Sequence, residues 1–317
     1  MKFGIHLPLD VVAVTGRGLR EFAQRAEELG FDSLWMGDHV AVPRGSMSVY
    51  PYPDPGNYSK SSHAMGTSGI SEPAAKPAPS PLQGLPDALG LLQYVAACTE
   101  RVMLGTTVLI LPMRNPVITA QQVATLDVVS DGRVILGVGV GWNREEFRTL
   151  DAPFDHRGAR TDDYLEVMRR LWTLDDPSFS GEYYEIGNLG FDPKPMQKPH
   201  PTLWIGGNEE PALRRTVRFG GAWHFAFLGA DDVRLRAAKM RELAIAADRD
   251  PASIAITGLR VDLIERPTRD ARVEVEALEA EGVSHLVVGV PGRTDLNDFY
   301  AKMAAFAREV IGPSRGA

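Results

Sequence analysis

The sequence predicts an α/β fold in which eight parallel strands and their helices close into a single (β/α)8 TIM barrel. Short runs rich in β-branched and aromatic residues alternate along the chain with stretches of helical spacing, a pattern typical of parallel α/β architecture. The chain of 317 residues is long enough for a barrel with insertions. An open doubly wound sheet can also hold this many strands, but a series of eight repeats favours a closed ring.

The predicted strands are short apolar runs bounded by turn residues. They cover residues 3–7, 33–37, 102–107, 134–140, 202–206, 222–225, 254–263 and 285–290. The helix after the third strand begins at Asn115-Pro116, an N-cap followed by a favoured first helical residue. Further helices are predicted over residues 162–172, where Tyr164, Met168 and Leu171 share one face, and over the terminal residues 296–309.

Two segments interrupt this alternation, which predicts an insertion after strand 2 and a short excursion before strand 5. Residues 43–86 hold nine of the 23 prolines, which excludes a regular element. Because the insertion follows the second strand, it emerges at the C-terminal face, where barrel enzymes keep their sites. It is either a lid, packed through Tyr50, Tyr52 and Tyr58, or a disordered surface loop. The excursion, residues 179–201, is interpreted as a hairpin around residues 181–184, and residues 1–317 are assigned to one domain.

Charge and hydropathy exclude several classes of function. The formal net charge of −7 argues against a nucleic-acid partner, which calls for a basic face. No stretch approaches the roughly 18 apolar residues of a membrane span, and the N-terminus turns polar too early for a signal peptide. The expectation is a cytoplasmic enzyme that acts on a small molecule.

Polar residues at the C-terminal ends of the strands are the candidates for chemistry, because in a barrel these ends form the site. They are His6, Asp38, His39, Thr106, Thr107 and His224. An imidazole can pass a proton near neutral pH, and a carboxylate can orient it or bind a cofactor, so Asp38-His39 is the principal pair. The alternative is a capping aspartate beside a surface histidine.

The fourth strand carries an unusual row of glycines. Its period of two places Ile135, Gly137, Gly139 and Gly141 on one face, which leaves most of that face bare. A flat ring could lie against the exposed main chain there, or the strip could be filled by packing inside the barrel. The spacing lacks the third glycine of a dinucleotide fingerprint. Gly206-Gly207-Asn208, before a predicted helix, suggests either a phosphate site at the helix N-terminus or a tight turn.

Together these residues resemble the luciferase-like monooxygenase superfamily, in its F420-dependent oxidoreductase branch. The matching segments are residues 26–35, 104–108, 114–116, 124–127, 130–133, 137–143 and 201–208, and only the 43–86 insertion is unmatched. The resemblance implies a barrel that binds coenzyme F420 or FMN, with a bulge after the third strand that contains a cis peptide between Thr107 and Val108. It also implies a homodimer.

The same resemblance assigns roles to particular residues. His39 would transfer a proton, and Asp38 would contact the polar edge of the ring. The resemblance also places the cofactor phosphate near Gly206, Gly207 and Asn208. With the strand ends and the glycine row added, the predicted cofactor contacts are Asp38, Thr106, Thr107, Val108, Gly139, Val140, Gly141, Gly206, Gly207 and Asn208. Sugar-phosphate dehydrogenases of this superfamily carry a glutamate where this chain has Trp142, so a hydrophobic substrate pocket built from His6, Trp142 and His224 is expected instead.

Four functional hypotheses follow. The leading one is hydride transfer between F420 and an organic, hydrophobic small molecule, with His39 as proton donor or acceptor. An FMN-dependent two-component monooxygenase would use nearly the same scaffold, and reactivity with oxygen separates the two. A metal-dependent barrel hydrolase using His6, Asp38, His39 and His224 lacks the usual His-x-His pair. The last hypothesis is a non-catalytic cofactor carrier.

Overall fold

The structure, a computed structural model, describes residues 1–7, 15–41, 48, 50–52, 85–289 and 296–314. Eight parallel strands form the barrel: β1 Lys2–His6, β2 Ser33–Met36, β3 Met103–Thr106, β4 Val134–Gly139, β5 Thr202–Gly206, β6 Ala222–Ala226, β7 Ala255–Leu259 and β8 Val283–Val288. Neighbours pair in the order 3-2-1-8-7-6-5-4, and β3 pairs with β4 through Leu104–Val134 and Gly105–Ile135. The ring is therefore closed, and the predicted TIM barrel is confirmed.

The helices lie between the strands and form the outer layer. They are α1 Gly16–Glu28, α2 Ala88–Ala96, α3 Pro116–Val129, α4 Arg144–Thr149, α5 Arg157–Thr173, α6 Glu210–Phe219, α7 Ala230–Ala246, α8 Thr268–Ala280 and α9 Leu296–Phe306. Asn115 caps α3 as predicted, since its Oδ1 accepts hydrogen bonds from the amides of Val117 and Ile118 at 3.0 and 3.2 Å. Among the described residues, the helices are all too short or too polar to cross a membrane.

Three predicted boundaries were wrong by three residues or more. The seventh strand ends at Leu259 rather than residue 263, and Val261–Glu265 forms a 3-10 turn. The Arg260 amide still donates to the Val287 carbonyl at 2.8 Å, and the chain turns after it, where the Arg260 guanidinium binds Asp262 at 3.0 Å and Glu274 at 2.6 Å. Helix α5 begins at Arg157, five residues before its predicted start at 162, and α9 gives way to a π-helical turn, Ala307–Ile311.

Large side chains fill the base of the barrel. Trp35 and Trp204 pack there with ring centroids 4.8 Å apart, inside a cluster that also contains Ile135, Ala222 and Val287. Trp35 fits because Gly4 and Gly105 face it, and a β-carbon at either position would overlap its indole ring. The barrel is thus a solid core from its base upward, and the space for a ligand lies at its C-terminal mouth.

The two predicted interruptions of the barrel have different outcomes. Phe179–Ser180 and Glu185–Ile186 pair antiparallel, so the hairpin in the excursion is confirmed. Tyr50 and Tyr52 of the insertion pack against each other with ring centroids 5.5 Å apart, as predicted. Tyr58 and most of the 43–86 insertion lie outside the described residues, so the lid stays a prediction.

Candidate active site

The third strand is interrupted at the mouth of the barrel by a bulge. The peptide bond between Thr107 and Val108 is cis, where the resemblance placed it. Gly105 pairs with Ile135 before the bulge, and Leu109 pairs with Val138 after it. The two pairs are thus four residues apart on the bulged segment and three residues apart on β4. The extra residue pushes the chain between Thr106 and Leu109 out of the strand pattern at the point where the site opens.

The glycine strip of β4 supports this bulge and does not present a bare surface to a ring. A β-carbon at Gly137 would overlap the carbonyl oxygen of Thr106, and one at Gly139 would overlap Cγ2 of Val108. A β-carbon at Gly206 of β5 would lie 2.7 Å from Cγ1 of the same valine. Of the two interpretations of the strip, the structure therefore favours packing inside the barrel, because the bulge turns the Val108 side chain onto the glycines. A planar ligand would contact the bulge, with the glycines behind it.

Asp38 holds the segment that follows the bulge. Its Oδ1 pairs with Arg114 Nη2 at 2.7 Å, and its Oδ2 accepts hydrogen bonds from Arg114 Nε at 3.2 Å and from the Ile110 amide at 2.9 Å. Although burial opposes the charge of Arg114, these hydrogen bonds and the charge of Asp38 raise its pKa. Both carboxylate oxygens bind this segment and neither binds His39, so the assignment of Asp38 to the orientation of His39 is corrected. Asp38 positions the bulge instead, and its contact with the edge of a ring stays a prediction.

His39 is paired with a residue that the sequence analysis missed, Glu146. Nδ1 of His39 donates to Oε2 of Glu146 at 2.8 Å, while Oε1 of Glu146 accepts from the amides of Val40 and Ala41 at 2.7 and 3.2 Å. Glu146 is buried, and its own amide is capped by Asn143 Oδ1 at 3.0 Å. Because Nδ1 carries the proton shared with the carboxylate, Nε2 is the ring nitrogen left to exchange a proton.

The sequence contained a partial signal for Glu146. Asn143-x-x-Glu146 has the spacing of a capping box, in which the glutamate bonds back to the amide of the capping residue. In the structure the glutamate reaches across to the loop after β2 instead.

The other two candidate histidines, His6 and His224, form hydrogen bonds mostly with the backbone and side chains of the barrel itself. His6 Nε2 accepts from the Gly37 amide at 3.1 Å, and its Nδ1 lies 2.8 Å from the Leu7 carbonyl oxygen, which fixes the half-buried ring at the mouth. His224 is buried beneath the bulge, so its assignment to the wall of the substrate pocket is corrected.

The hydrogen bonds of His224 define its tautomer. Thr257 Oγ1 donates to the Trp223 carbonyl at 3.1 Å, so it accepts from Nδ1 of His224 at 3.0 Å, and Nε2 accepts from Thr107 Oγ1 at 3.0 Å. Burial lowers the pKa of His224 to about 3, which keeps this ring neutral. His224 thereby anchors the threonine at the cis peptide.

The predicted phosphate site at residues 206–208 is occupied by internal hydrogen bonds. The side-chain amide of Asn208 donates to the Ala226 carbonyl at 2.9 Å and accepts from the Ala226 amide at 3.0 Å. The Gly207 amide, at a φ of 130°, donates to the His224 carbonyl at 3.2 Å. Glu209 caps helix α6 and Glu210 is its first residue, so two carboxylates follow the turn where an anion was predicted. The assignment of Asn208 to phosphate binding is corrected, because its side chain joins the ends of β5 and β6.

Trp142 lies at the mouth as predicted, beside the proposed proton donor. Its ring is 5.8 Å from that of His39 and 5.3 Å from that of Tyr50, measured between centroids. Tyr52 continues the contact to Phe227, at 6.3 Å, a residue that the sequence analysis did not single out. Next to these rings, Ser48 donates to Glu145 and accepts from the Arg144 amide at 3.1 Å, so this part of the insertion rests on α4.

The side chains needed for a metal centre are not brought together. Within residues 1–7, 15–41, 48, 50–52, 85–289 and 296–314 there is no group of three His, Cys, Asp or Glu side chains with the geometry of a metal site. His39 faces Glu146, Asp38 faces Arg114 and His224 faces two threonines, so the four residues of the hydrolase hypothesis have separate partners.

Comparison with known proteins gives the class of the molecule. The family model of luciferase-like monooxygenases matches residues 1–309, and the chain belongs to this family of oxidoreductases and monooxygenases. It is 30% identical over 272 residues to the phthiodiolone/phenolphthiodiolone dimycocerosates ketoreductase of Mycobacterium tuberculosis, which covers 84% of this chain and 65% of that protein.

Two solved structures share the fold. A monooxygenase from Streptomyces bottropensis superposes with a TM-score of 0.76 and 19% identity, covering 99% of this chain and 100% of that one. The coenzyme F420-dependent tetrahydromethanopterin reductase of Methanopyrus kandleri gives 0.73 and 17%, covering 98% and 99%. Proteins of this fold thus include both an oxygenase and an F420 enzyme, and the resemblance drawn from the motifs is confirmed.

Proposed function

We propose that this protein is an F420-dependent oxidoreductase that transfers a hydride between the coenzyme and an apolar ketone or the corresponding alcohol. The observation that carries the proposal is the His39–Glu146 pair beside the bulge, which presents Nε2 of one oriented imidazole at the barrel mouth. The ketone is suggested by the 30%-identical relative, which is named as a ketoreductase.

The predicted ring site at the bulge suits a flavin or deazaflavin ring, whereas the predicted phosphate site at residues 206–208 does not suit a phosphate. The bulge at Thr107 and Val108 is supported from behind by Gly137, Gly139 and Gly206, which makes a firm backing for a planar ring. The turn at Gly207 and Asn208, by contrast, is closed by its own hydrogen bonds. The half-buried cation next to the end of β4 is Arg157, whose Nε donates to the Gly141 carbonyl at 3.0 Å. We therefore assign the ring to the bulge and the phosphate to Arg157.

The protein's own part in the reaction is proton transfer. When bound, the coenzyme supplies or accepts the hydride. Nε2 of His39 donates a proton to the carbonyl oxygen of the substrate as that oxygen gains negative charge, and it takes the proton back in the reverse direction. The carboxylate of Glu146 accepts the hydrogen bond from Nδ1 and holds the ring in one orientation. A general acid of this kind accelerates such a step about 10²- to 10⁴-fold.

The second candidate is an FMN-dependent monooxygenase, favoured by the Streptomyces monooxygenase of the same fold. Equilibrium titration of the purified protein with F420 and with FMN, followed by fluorescence, separates the two candidates before any substrate is known. We expect tighter binding of F420, and F420-dependent ketone reduction without oxygen consumption. Tighter binding of FMN together with substrate-dependent oxygen uptake would replace the first candidate by the second.

A variant tests the role of His39 directly. His39→Ala should bind F420 as the wild type does and lose hydride exchange with the substrate, since the imidazole is assigned to proton transfer and not to ring binding. Undiminished exchange would remove His39 from the mechanism.

A further inference from the structure

Four aromatic rings from three separate parts of the chain form a continuous row across the mouth, starting at His39. We call this row, Trp142, Tyr50, Tyr52 and Phe227, the aromatic wall. Successive centroids from His39 onward are 5.8, 5.3, 5.5 and 6.3 Å apart, with interplanar angles between 60° and 75°. Each ring therefore meets the next edge-on.

The four residues of the wall are half-buried, neither enclosed in the core nor fully exposed. Leaving aromatic surface in water is unfavourable, and a row of such rings beside a proton donor is suited to a ligand that covers it. Edge-to-face packing also favours an aromatic partner over a saturated one of the same size.

The backbone of Phe227 points to the same conclusion independently. Its φ is 59°, in the left-handed region. The other non-glycine residues of the described part of the chain with positive φ are Asp131, Asp151, His156, Asn188 and Asp248, all of types that tolerate this conformation. The Phe227 amide donates to the Leu259 carbonyl at 3.0 Å, which holds the residue there at the end of β6. Asparagine or glycine would fit this position with less strain, so the phenyl ring is kept at the end of the wall at a cost in backbone energy.

The charge state of the wall's side chains indicates what kind of ligand it can take. Burial raises the pKa of Tyr52, and the negative charge of Glu209 raises it again, so the phenol of Tyr52 stays neutral. The wall itself consists of neutral side chains, and Trp142 at its other end adjoins His39.

We infer that the aromatic wall is the substrate-binding surface and that it takes a neutral ketone or alcohol bearing an aromatic ring, with the oxygen directed to His39. The inference rests on the proposed function for the reaction, and adds the class of substrate and the residues that select it. In the reaction, the carbonyl carbon accepts a hydride from the reduced deazaflavin, the C=O π-bond breaks, and the oxygen receives the proton of His39.

The test uses 4-phenyl-2-butanone and its saturated counterpart 4-cyclohexyl-2-butanone, which share a carbon skeleton. Binding of each to the cofactor-free protein is measured by saturation-transfer NMR, and kcat/KM is measured separately with reduced F420. The variants are Tyr52→Leu and Phe227→Asn, and Tyr183→Leu on the excursion is the matched control. We expect the wild type to prefer the phenyl ketone, and each wall variant to lower that preference about fivefold, while Tyr183→Leu changes nothing.

Thermal melting and F420 titration of the same variants make the outcomes distinct. Phe227→Asn should melt no lower than the wild type, because the strained backbone is relieved, and should bind F420 equally well. An unchanged ring preference in both wall variants, or a loss of F420 binding in them, would overturn the inference. If the ketone binds through the wall but no F420-dependent turnover occurs, the proposed function fails while the assignment of the wall stands.

Discussion

Glu146 accepts a hydrogen bond from Nδ1 of His39 at 2.8 Å although 107 residues separate the two along the chain. The carboxylate simultaneously binds the amides of Val40 and Ala41, so it fixes both the imidazole and the backbone that follows it. Three hydrogen bonds to one buried carboxylate make Glu146 the residue that decides the tautomer of His39.

The first prediction therefore concerns Glu146→Gln. The amide oxygen can keep the two backbone hydrogen bonds, which leaves its NH2 group facing Nδ1 and drives the imidazole proton to Nε2. We expect kcat to fall about a hundredfold in both directions, with the cofactor Kd unchanged. Nitrogen-15 NMR of His39 reports the tautomer, and Glu145→Gln is the neighbouring control. A normal kcat with the tautomer reversed would show that the pairing does not matter for proton transfer.

The ion pair of Asp38 and Arg114 should contribute to stability rather than to proton transfer. Asp38→Asn leaves a guanidinium that is only 15% exposed without its buried counter-charge, so we expect a loss of about 3 kcal/mol in the free energy of unfolding. Asp87→Asn removes the more exposed partner of the same arginine, at 3.5 Å, and should cost less than about 0.5 kcal/mol. Denaturant unfolding measures both. Equal effects of the two substitutions would contradict the assignment of Asp38 to the bulge.

The contact between Gly139 and Val108 predicts that a second substitution can restore what the first one loses. Gly139→Ala places a methyl group where Cγ2 of Val108 lies, so it should displace the bulge and cost about 1–3 kcal/mol together with weaker binding of the cofactor. Adding Val108→Ala removes the obstructing methyl and should restore most of both losses. Gly187→Ala, where a β-carbon would meet nothing within 4 Å, is the control. A double variant that is no better than Gly139→Ala alone would mean that the valine is not what the glycine accommodates.

Two buried histidines should make the barrel sensitive to acid. Burial lowers the pKa of His224 to about 3, and burial together with His224 and Lys2 lowers that of His285 to about 3. Between about pH 6.5 and pH 3 these two histidines are protonated in the unfolded chain but neutral in the folded chain. Their contribution to the free energy of unfolding is therefore complete above about pH 6.5 and is lost as the pH falls below it. On going from pH 6 to pH 5, the two histidines should together lower the free energy of unfolding by about 2 kcal/mol.

Chemical denaturation at the two pH values measures this difference. His285→Gln should halve it, whatever the variant's absolute stability. A difference that does not change in His285→Gln would mean that this histidine titrates normally in the folded protein.

The features that could be predicted from the sequence depend on residues that are close along the chain. Apolar periodicity located the eight strands, and the Asn115-Pro116 cap located the start of α3, because each depends on neighbours along the chain. The partners of the site were not accessible in this way. Asp38 and His39 are adjacent, but successive residues of an extended segment point in opposite directions, so one side chain meets Arg114 and the other Glu146. The bare strip of β4 was visible in the sequence, whereas its occupant, Val108, comes from another strand.

The last prediction locates the phosphate of the cofactor. Arg157 is the first residue of α5, its guanidinium lies 4.0 Å from the centroid of Phe154, and Arg144 lies 4.2 Å from the same ring. Burial lowers the pKa of Arg157, and the charge of Arg144 lowers it again, while Asp155 acts in the opposite direction. An anion beside two cations and a helix N-terminus would relieve their repulsion.

FMN and riboflavin differ only by the phosphate, so the ratio of their Kd values isolates that group from the ring. We expect the wild type to prefer FMN, and Arg157→Gln to reduce the preference about tenfold, the contribution of one charge-assisted hydrogen bond. Riboflavin binding should be unchanged, because we assign the ring to the bulge at Val108 and not to Arg157. Arg148→Gln, an exposed arginine of the adjacent helix α4, controls for general charge. If Arg157→Gln leaves the ratio unchanged, the phosphate lies elsewhere; if it weakens both ligands equally, Arg157 acts on the ring or on the fold.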